Sequence, residues 1–353
     1  MKTFIQAISQ ISLQEPLSDQ WFSNPHVPQN IFNESIEPDY KRFLSPMEAR
    51  RMGKLMKRAL TTSLDVLHRS KFENVDAIIS GTGLGCIDNT EKFLHAIIDN
   101  NEDYLPPTAF MQSTHNTISS QIALYLKCHG YNSTYSHRGT SFESSLLDAF
   151  VQMKVGDIHS ALVGGHDEMT PDYFNMLGKL GYWKKDPFTI DSLKKADTIG
   201  SISGSCSLAL LLTDSPTQDA LCQLNDVELM YAPSITKIQS RMENMLIKNG
   251  IALGEIDAVV MGLNGDIEND AVYHQISQNC FPNIPVVWYK HVFGESYSAS
   301  SFGAYTASQC LKNNLIPPHL LYNSVAHSTN INHVLVYNHF QNKDHSLILL
   351  SKI

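Results

Sequence analysis

This sequence of 353 residues lacks the patterns that mark metal-binding, disulfide-bonded, secreted or membrane-spanning proteins. Its cysteines show no C-x-x-C spacing, so the sequence predicts neither a zinc site nor a disulfide framework, and a reducing cytoplasm fits them best. No apolar run reaches the roughly 18 residues that a membrane-spanning helix needs. The first residues, MKTFIQAISQISL, are too few and too polar for a secretory signal, so we expect neither export nor a membrane span. The scattered cysteines are Cys86, Cys128, Cys206, Cys222, Cys280 and Cys310.

A concentrated basic surface is missing as well. Lys and Arg number 26 against 35 Asp and Glu, and the net charge is -9. Because no stripe of basic residues appears, nucleic-acid binding is not expected. The densest basic cluster, within residues 50–58, lies on a helical pattern and indicates a solvated face or a protein contact. The segment GTGLG at 81–85 lacks the last glycine of the dinucleotide pattern, so we expect no bound nucleotide cofactor. We also expect no metal ion, since the cysteines lack the spacing of metal ligands.

What the sequence contains is an ordinary globular composition, 42% hydrophobic and 17% charged. Its apolar segments alternate between strand and helix periods, which predicts an α/β fold with a mainly parallel sheet. A Ser-Pro-Thr-Gln stretch marks a boundary between residues 1–216 and 217–353, and the second part repeats the pattern of the first. The predicted strands cover residues 3–11, 75–85, 131–135, 160–163, 227–231, 256–261, 285–288 and 345–350. The predicted helices cover residues 45–67, 114–126, 141–153, 234–248, 268–279 and 299–313.

The most informative stretch covers residues 131–170. A strand leads into the glycine turn Arg138-Gly139-Thr140, then into an amphipathic helix, a Gly-Asp pair, a second strand and a Gly-Gly pair. This order resembles the nucleophile region of the thiolase-like β-ketoacyl-acyl carrier protein synthases, whose pattern is T-A-C-x-S, helix, G-D, strand, G-G-x-E. The resemblance extends over most of residues 45–318. It implies a thiolase-like fold, with two duplicated βαβαβ halves in αβαβα layers.

The same resemblance indicates which chemistry is missing. Condensing enzymes need a cysteine thiolate and two histidines, or a histidine and an asparagine. The cysteine position of the family falls on Gly139, and the two histidine positions fall on Met261, to within one residue, and on Glu295. Lys290 is retained. The terminal G-F-G-G-x-N loop keeps little more than Phe340, so every catalytic element is altered while the scaffold elements persist.

A few residues could still take part in chemistry or binding. Ser141, at the start of the helix, is a candidate nucleophile that would need an adjacent base, and a helix N-cap is the simpler interpretation. His115 could line a cavity, although a histidine at a helix start is more often a cap or a surface residue. The resemblance suggests Phe110, Phe142 and Phe340, together with His115, as walls of a substrate pocket.

Within the family, the resemblance is closest to the cysteine-less subunits called chain length factors, of the aryl polyene type. It rests on the segments 113–116 and 141–149 and implies a non-catalytic partner of an active ketosynthase in fatty acid, polyketide or polyene pigment biosynthesis. The strand 131–135 would pair with that partner, and acyl carrier protein thioesters would be the ligands of the complex. Two alternatives stay open. One is an acyltransferase or hydrolase of the same fold that uses Ser141 or another nucleophile, and the other is a non-catalytic homodimer that binds acyl thioesters.

Overall fold

Residues 1–105, 107–325 and 330–353 are described by the computed structural model. In this part of the chain ten strands form one sheet. The strands are β1 (Thr3–Ile11), β2 (Ala77–Gly81), β3 (Tyr131–Tyr135), β4 (Ser160–Asp167), β5 (Cys206–Thr213), β6 (Cys222–Tyr231), β7 (Ala258–Met261), β8 (Val286–Trp288), β9 (His333–Phe340) and β10 (Asp344–Ser351). Their order in the sheet is β3-β2-β4-β5-β1-β6-β10-β9-β7-β8.

The strand order shows an internal duplication. In the first half, β3, β2 and β4 are parallel, β5 runs antiparallel to β4, and β1 closes the set. In the second half, β8, β7, β9, β10 and β6 repeat this arrangement. The two halves meet where β1 and β6 pair antiparallel through residues 3–5. Because both halves contain antiparallel pairs, the sheet is mixed, and the prediction of a mainly parallel sheet was wrong. The division at residue 216 stays a prediction.

Twelve α-helices cover the sheet in the described part of the chain. They are α1 (Pro46–Arg51), α2 (Lys54–Ser70), α3 (Ile87–Asp99), α4 (Pro107–Ser113), α5 (Thr117–Leu126), α6 (Ser141–Val155), α7 (Pro171–Lys179), α8 (Ile190–Lys195), α9 (Ile235–Lys248), α10 (Ile267–Cys280), α11 (Lys290–Phe293) and α12 (Ser300–Asn313). Within the same part, no helix combines the length and the apolar character that crossing a membrane requires.

The layers follow from the alternation of side chains along the strands. Ile79 on β2 and Val163 on β4 join the central core around α6 and α12, whereas Ile78 and Leu162 point to the opposite face and pack against α2 and α5. In the second half, α9 and α10 cover the outer face in the same way. Helix α12 is buried along almost its whole length. This is the layered αβαβα arrangement of a thiolase-like fold, and it confirms the predicted fold class.

Local sequence signals placed several element ends correctly. The Ser45 hydroxyl accepts a hydrogen bond from the Glu48 amide, and the Glu48 carboxylate accepts one from the Ser45 amide, which is a capping box with proline at the first helical position. The predicted helix 45–67 is nevertheless two helices, because Met52 and Gly53 are extended and break it. Leu124, predicted to face inward on α5, is 70% exposed. Strands β5 and β9 were not predicted.

The segment between β1 and α1 has little regular structure and ties the two halves together. The side-chain amide of Gln14 donates to the carbonyl oxygens of His26, at 2.8 Å, and Val292, at 2.7 Å. The buried ring of Trp21 packs edge-on against Phe293 and Tyr305, with ring centroids 4.9 and 5.0 Å apart. The N-terminal segment is therefore part of the core that spans both halves.

Candidate functional site

A cleft of about 400 Å³ lies where the β9–β10 hairpin meets the loop after β7 and the segment before α12. It brings together two residues that the sequence singled out, Glu295 and Phe340, and adds Asn264 and His339, which the sequence analysis missed. Gly139 lies directly behind Phe340. Three of the family positions, Gly139, Glu295 and Phe340, are far apart in the sequence and lie together here, as expected if this cleft corresponds to the active site of the resembled enzymes.

Gly139 has no room for a side chain. It is buried in a 3₁₀ turn, Arg138–Thr140, immediately before α6. A Cβ atom built on Gly139 would lie within 3.0 Å of three atoms of Phe340, and the nearest of them is the Phe340 Cβ. Carbon atoms in favourable contact are about 3.5–4.0 Å apart. The volume in which a nucleophilic side chain would begin is thus already occupied by Phe340.

The hairpin geometry holds Phe340 in this place. Strand β9 ends at Phe340 and pairs with Asp344 at the start of β10, and the Lys343 amide donates to the Phe340 carbonyl at 3.1 Å. Gln341 and Asn342 form the turn with φ angles of 53° and 51°. Two central residues with positive φ define the tight turn that best fits a twisted hairpin. The glycine-rich loop of the family pattern is therefore replaced by a tight turn of three residues, 341–343, between Phe340 and Asp344.

His339 adds a second restraint on this hairpin. Its Nε2 donates to the Asn269 carbonyl at 2.9 Å, and its Nδ1 accepts from the Asn342 amide at 3.1 Å. The ring stacks on Tyr273, with centroids 4.3 Å apart. Burial, with the nearby His345 and Lys290, holds the pKa of His339 well below its usual range, so the ring is neutral and keeps this tautomer. The imidazole is a structural latch and is not free to act as a base.

Glu295 is engaged in a buried ion pair. One of its carboxylate oxygens, Oε2, accepts from the Lys290 ammonium at 2.8 Å and from the Asn264 side-chain amide at 2.8 Å. The Lys290 side chain is 3% exposed and that of Glu295 is 9% exposed. A carboxylate in this position compensates the charge of the lysine that the family retains. The Oε2 atom of Glu295 is thus already engaged by two donors of this chain.

Met261 contributes nothing to the cleft, because its side chain points the other way. Along β7, Val260 faces the central core, whereas Met261 joins the outer core beneath α9 and α10. Asn264, in the following loop, supplies the group that reaches Glu295. Its position is fixed by Asp270, whose carboxylate accepts from the amides of Asn264 and Gly265 at 3.0 and 2.9 Å. Burial raises the pKa of Asp270 to about 7.

Ser141 is not arranged as a nucleophile. Its buried hydroxyl donates toward the carbonyls of Thr82 and Arg138, at 3.0 and 2.8 Å, and accepts from the His137 amide at 2.9 Å. The His137 ring lies 3.1 Å from the hydroxyl of Ser144 instead. Ser141 is the first residue of α6, and the preceding N-cap residue, Thr140, makes no capping hydrogen bond. The hydroxyl of Ser141 closes the turn before the helix, and its hydrogen-bond partners among the described residues are all backbone groups.

The other predicted pocket residues lie outside the cleft. His115 is exposed at the junction between α4 and α5, and Phe110 on α4 is 55% exposed and packs against Phe93 with centroids 5.2 Å apart. Phe142 is fully buried in the central core beside Gly165. Of the suggested wall residues, Phe340 is the one that this cleft contains.

A second surface of interest is the edge of the sheet. In the described structure β3 pairs with β2 alone, so its other side offers unpaired backbone groups. Tyr131 on this strand is 41% exposed. The helices that pack beside β3 carry exposed apolar side chains, Leu124 on α5 and Val151 and Val155 on α6. A free edge with apolar surroundings is a template for pairing with another chain.

Similar folds are found among solved structures. The ishigamide ketosynthase/chain length factor matches with a TM-score of 0.84 at 14% identity, covering 100% of this chain and 99% of that one. The ketosynthase ApeO in complex with its chain length factor ApeC, from Xenorhabdus doucetiae, matches with a TM-score of 0.80 at 17% identity, covering 100% and 98%. A β-ketoacyl synthase from Burkholderia phymatum STM815 matches with a TM-score of 0.78 at 13% identity, covering 100% and 99%. At these identities the likeness shows the fold.

The sequence itself identifies the family. No curated protein matches the chain. The family model of the β-ketoacyl synthase N-terminal domain matches residues 19–239, which is more than half of the chain and includes β2 to β5 and helix α6. The match agrees with the duplicated thiolase-like fold and with the site geometry around α6. The chain belongs to the β-ketoacyl synthase family.

Proposed function

We propose that this chain is a catalytically silent β-ketoacyl synthase-like subunit that pairs with an active ketosynthase, in the manner of a chain length factor. The observation that carries the proposal is the contact between Gly139 and Phe340 inside an otherwise complete fold. Condensation needs a thiolate to carry the acyl group. The residues that line the cleft include no cysteine, and burial raises the pKa of the Cys206 thiol far above its usual range. The chain supplies a scaffold and no nucleophile.

The pairing surface in this proposal is the free edge of β3 with the apolar side chains beside it. An antiparallel strand from the partner would satisfy the unpaired backbone groups of β3, and Leu124, Val151 and Val155 would become buried. Exposed Phe110 on α4 would then contribute to a wall near the partner's acyl chain. Two of the structural relatives are described as ketosynthases with chain length factors, and another as a ketosynthase with an acyl carrier protein. These descriptions support the choice of partner.

The ligands of the complex would be acyl thioesters on the phosphopantetheine arm of an acyl carrier protein. The partner's cysteine would perform the chemistry, and this subunit would shape the space for a growing fatty acyl, polyketide or polyene chain. The buried Lys290–Glu295 pair and the closed hairpin support a scaffolding role, because in both the polar groups of the cleft bind other groups of the same chain. In the cleft, the side chains of Glu295 and His339 are both held by hydrogen bonds within this chain.

The test combines this chain with a cysteine-containing ketosynthase from the same organism. Malonyl-thioester decarboxylation and condensation are measured for each protein alone and for the mixture, and size-exclusion chromatography with light scattering reports the complex. We expect condensation in the mixture, a 1:1 heterodimer, and complete loss when the partner's cysteine is replaced. Turnover by this chain alone would contradict the proposal. A Ser141→Ala variant then decides whether Ser141 is responsible. A stable homodimer that ignores the ketosynthase would favour a binding protein.

A further inference from the structure

Phe340 contacts Gly139 through its Cβ, the side-chain atom that the backbone positions directly. Rotating the phenyl ring into another rotamer would move the ring atoms and leave the Cβ in place. Truncating Phe340 to alanine would also keep this atom. With the turn Arg138–Thr140 and the hairpin backbone in their present places, room for a side chain at Gly139 can be made only by glycine at position 340.

The hairpin backbone is held from several sides. The Tyr273 hydroxyl accepts from the His339 amide at 2.8 Å, so the residue before Phe340 is fixed at its main chain. The His339 ring is bonded to Asn269 on one side and to Asn342 on the other. The Phe340 ring itself packs against Tyr297, with centroids 5.2 Å apart. A backbone shift at Phe340 would break contacts to β10, to α10 and to the segment before α12 together.

We propose that Phe340, held by the His339 latch, is a built-in plug that closes the cleft of this subunit against any side chain or thioester at position 139. The silence of the site is then enforced by shape as well as by the missing thiol. Restoring cysteine at position 139 does not by itself create an accessible nucleophile, whereas cysteine with glycine at position 340 does. The plug rests on the catalytic silence in the proposed function and deepens it, but it concerns the isolated chain and needs no partner.

The experiment compares Gly139→Cys alone with the double variants Gly139→Cys/Phe340→Ala and Gly139→Cys/Phe340→Gly. Alkylation of residue 139 by iodoacetamide is followed by peptide mass spectrometry, which separates this thiol from the six native ones. Urea unfolding midpoints are measured in parallel. The matched control is Gly254→Cys, because a Cβ at Gly254 meets nothing within 4 Å. This control should label fast and unfold like the unmodified chain.

We expect the variant with glycine at position 340 to be alkylated more than about tenfold faster than the variant with alanine there, since thiol reactivity follows access. The glycine variant should also recover part of the urea midpoint lost in Gly139→Cys. This recovery remains measurable if the single variant is poorly folded. The plug is refuted if Gly139→Cys alone keeps the native midpoint and labels as fast as its glycine double variant. It is equally refuted if alanine and glycine at position 340 give the same labelling rate. Neither outcome depends on whether a ketosynthase partner binds.

Discussion

Neutralising Glu295 should strongly destabilise the fold, because its carboxylate is the counter-charge of a buried lysine. The Lys290 and Glu295 side chains are 3% and 9% exposed and lie 2.8 Å apart. Removing one partner of such a pair leaves the other charge uncompensated, which typically costs 3–5 kcal/mol. The Asp270 carboxyl is also influenced by Lys290, and burial raises the pKa of Asp270 to about 7. Partial ionisation of Asp270 can offset some of the loss, so we expect about 3 kcal/mol for Glu295→Gln.

The companion variants separate charge from packing. Lys290→Met should also cost about 3 kcal/mol, since it leaves the Glu295 carboxylate unpaired. The double variant Lys290→Met/Glu295→Gln removes both charges and should lie within about 1 kcal/mol of the unmodified chain, because replacing a buried pair by neutral groups is often close to neutral. Glutamine retains an oxygen for the Asn264 amide.

Urea unfolding at neutral pH, followed by the fluorescence of the three tryptophans, gives these free energies. A total stability of about 5–15 kcal/mol leaves the single variants folded enough to measure. Charge compensation between Lys290 and Glu295 is refuted if the double variant loses as much unfolding free energy as the two single variants together. It also fails if either single variant costs less than about 1 kcal/mol, since that is the range of exposed ion pairs.

Three further changes test other parts of the structure. Burial raises the pKa of the Glu168 carboxyl to about 7, above its unfolded value, so its contribution to stability should fall between about pH 5 and pH 8. Because burial also raises the pKa of Asp270 to about 7, Glu168→Gln should make the urea-midpoint profile shallower without removing its slope. Ser141→Ala should cost about 1–2 kcal/mol of unfolding free energy and leave the condensation rate of the ketosynthase complex unchanged. Tyr131→Glu should weaken association with the partner, measured by light scattering, without changing the urea midpoint of the isolated chain.

The fold could be predicted because its signals are local and repeated. Along α6, Phe142, Leu146, Phe150 and Met153 recur at helical spacing and are all buried. The predicted strand at 131–135 matches β3 in full. Element ends were less predictable, since the break at Gly53 has no strong breaker motif around it. Strand β9 was not predicted, because residues 338–342 were assigned to a loop by analogy with the glycine-rich pattern. The same assignment hid the position of Phe340 at the end of a strand.

The site could be predicted only in part, because its geometry depends on which way side chains point. The sequence singled out Glu295 and Phe340, and both residues line one cleft. It could not show that Met261 faces the outer core, since that depends on where β7 ends and on the alternation along it. Asn264 and His339 were missed for a related reason. Each acts through a contact to a distant segment, Glu295 and Asn269 respectively, and no local pattern records such a contact.

At the cleft, the space beside position 139 is filled by Phe340 and the charge of Lys290 is paired with Glu295, and both observations bear on the function of the chain. Losing a nucleophile side chain at position 139 would leave a cavity, and cavities cost stability in proportion to their volume. Phe340 occupies that space. Losing a polar group beside Lys290 would leave a buried charge alone, and Glu295 compensates it. Each chemical loss coincides with a replacement that preserves packing or charge balance. Both replacements keep the fold packed and its buried charge balanced, and this fits the structural role proposed for the chain beside a catalytic partner.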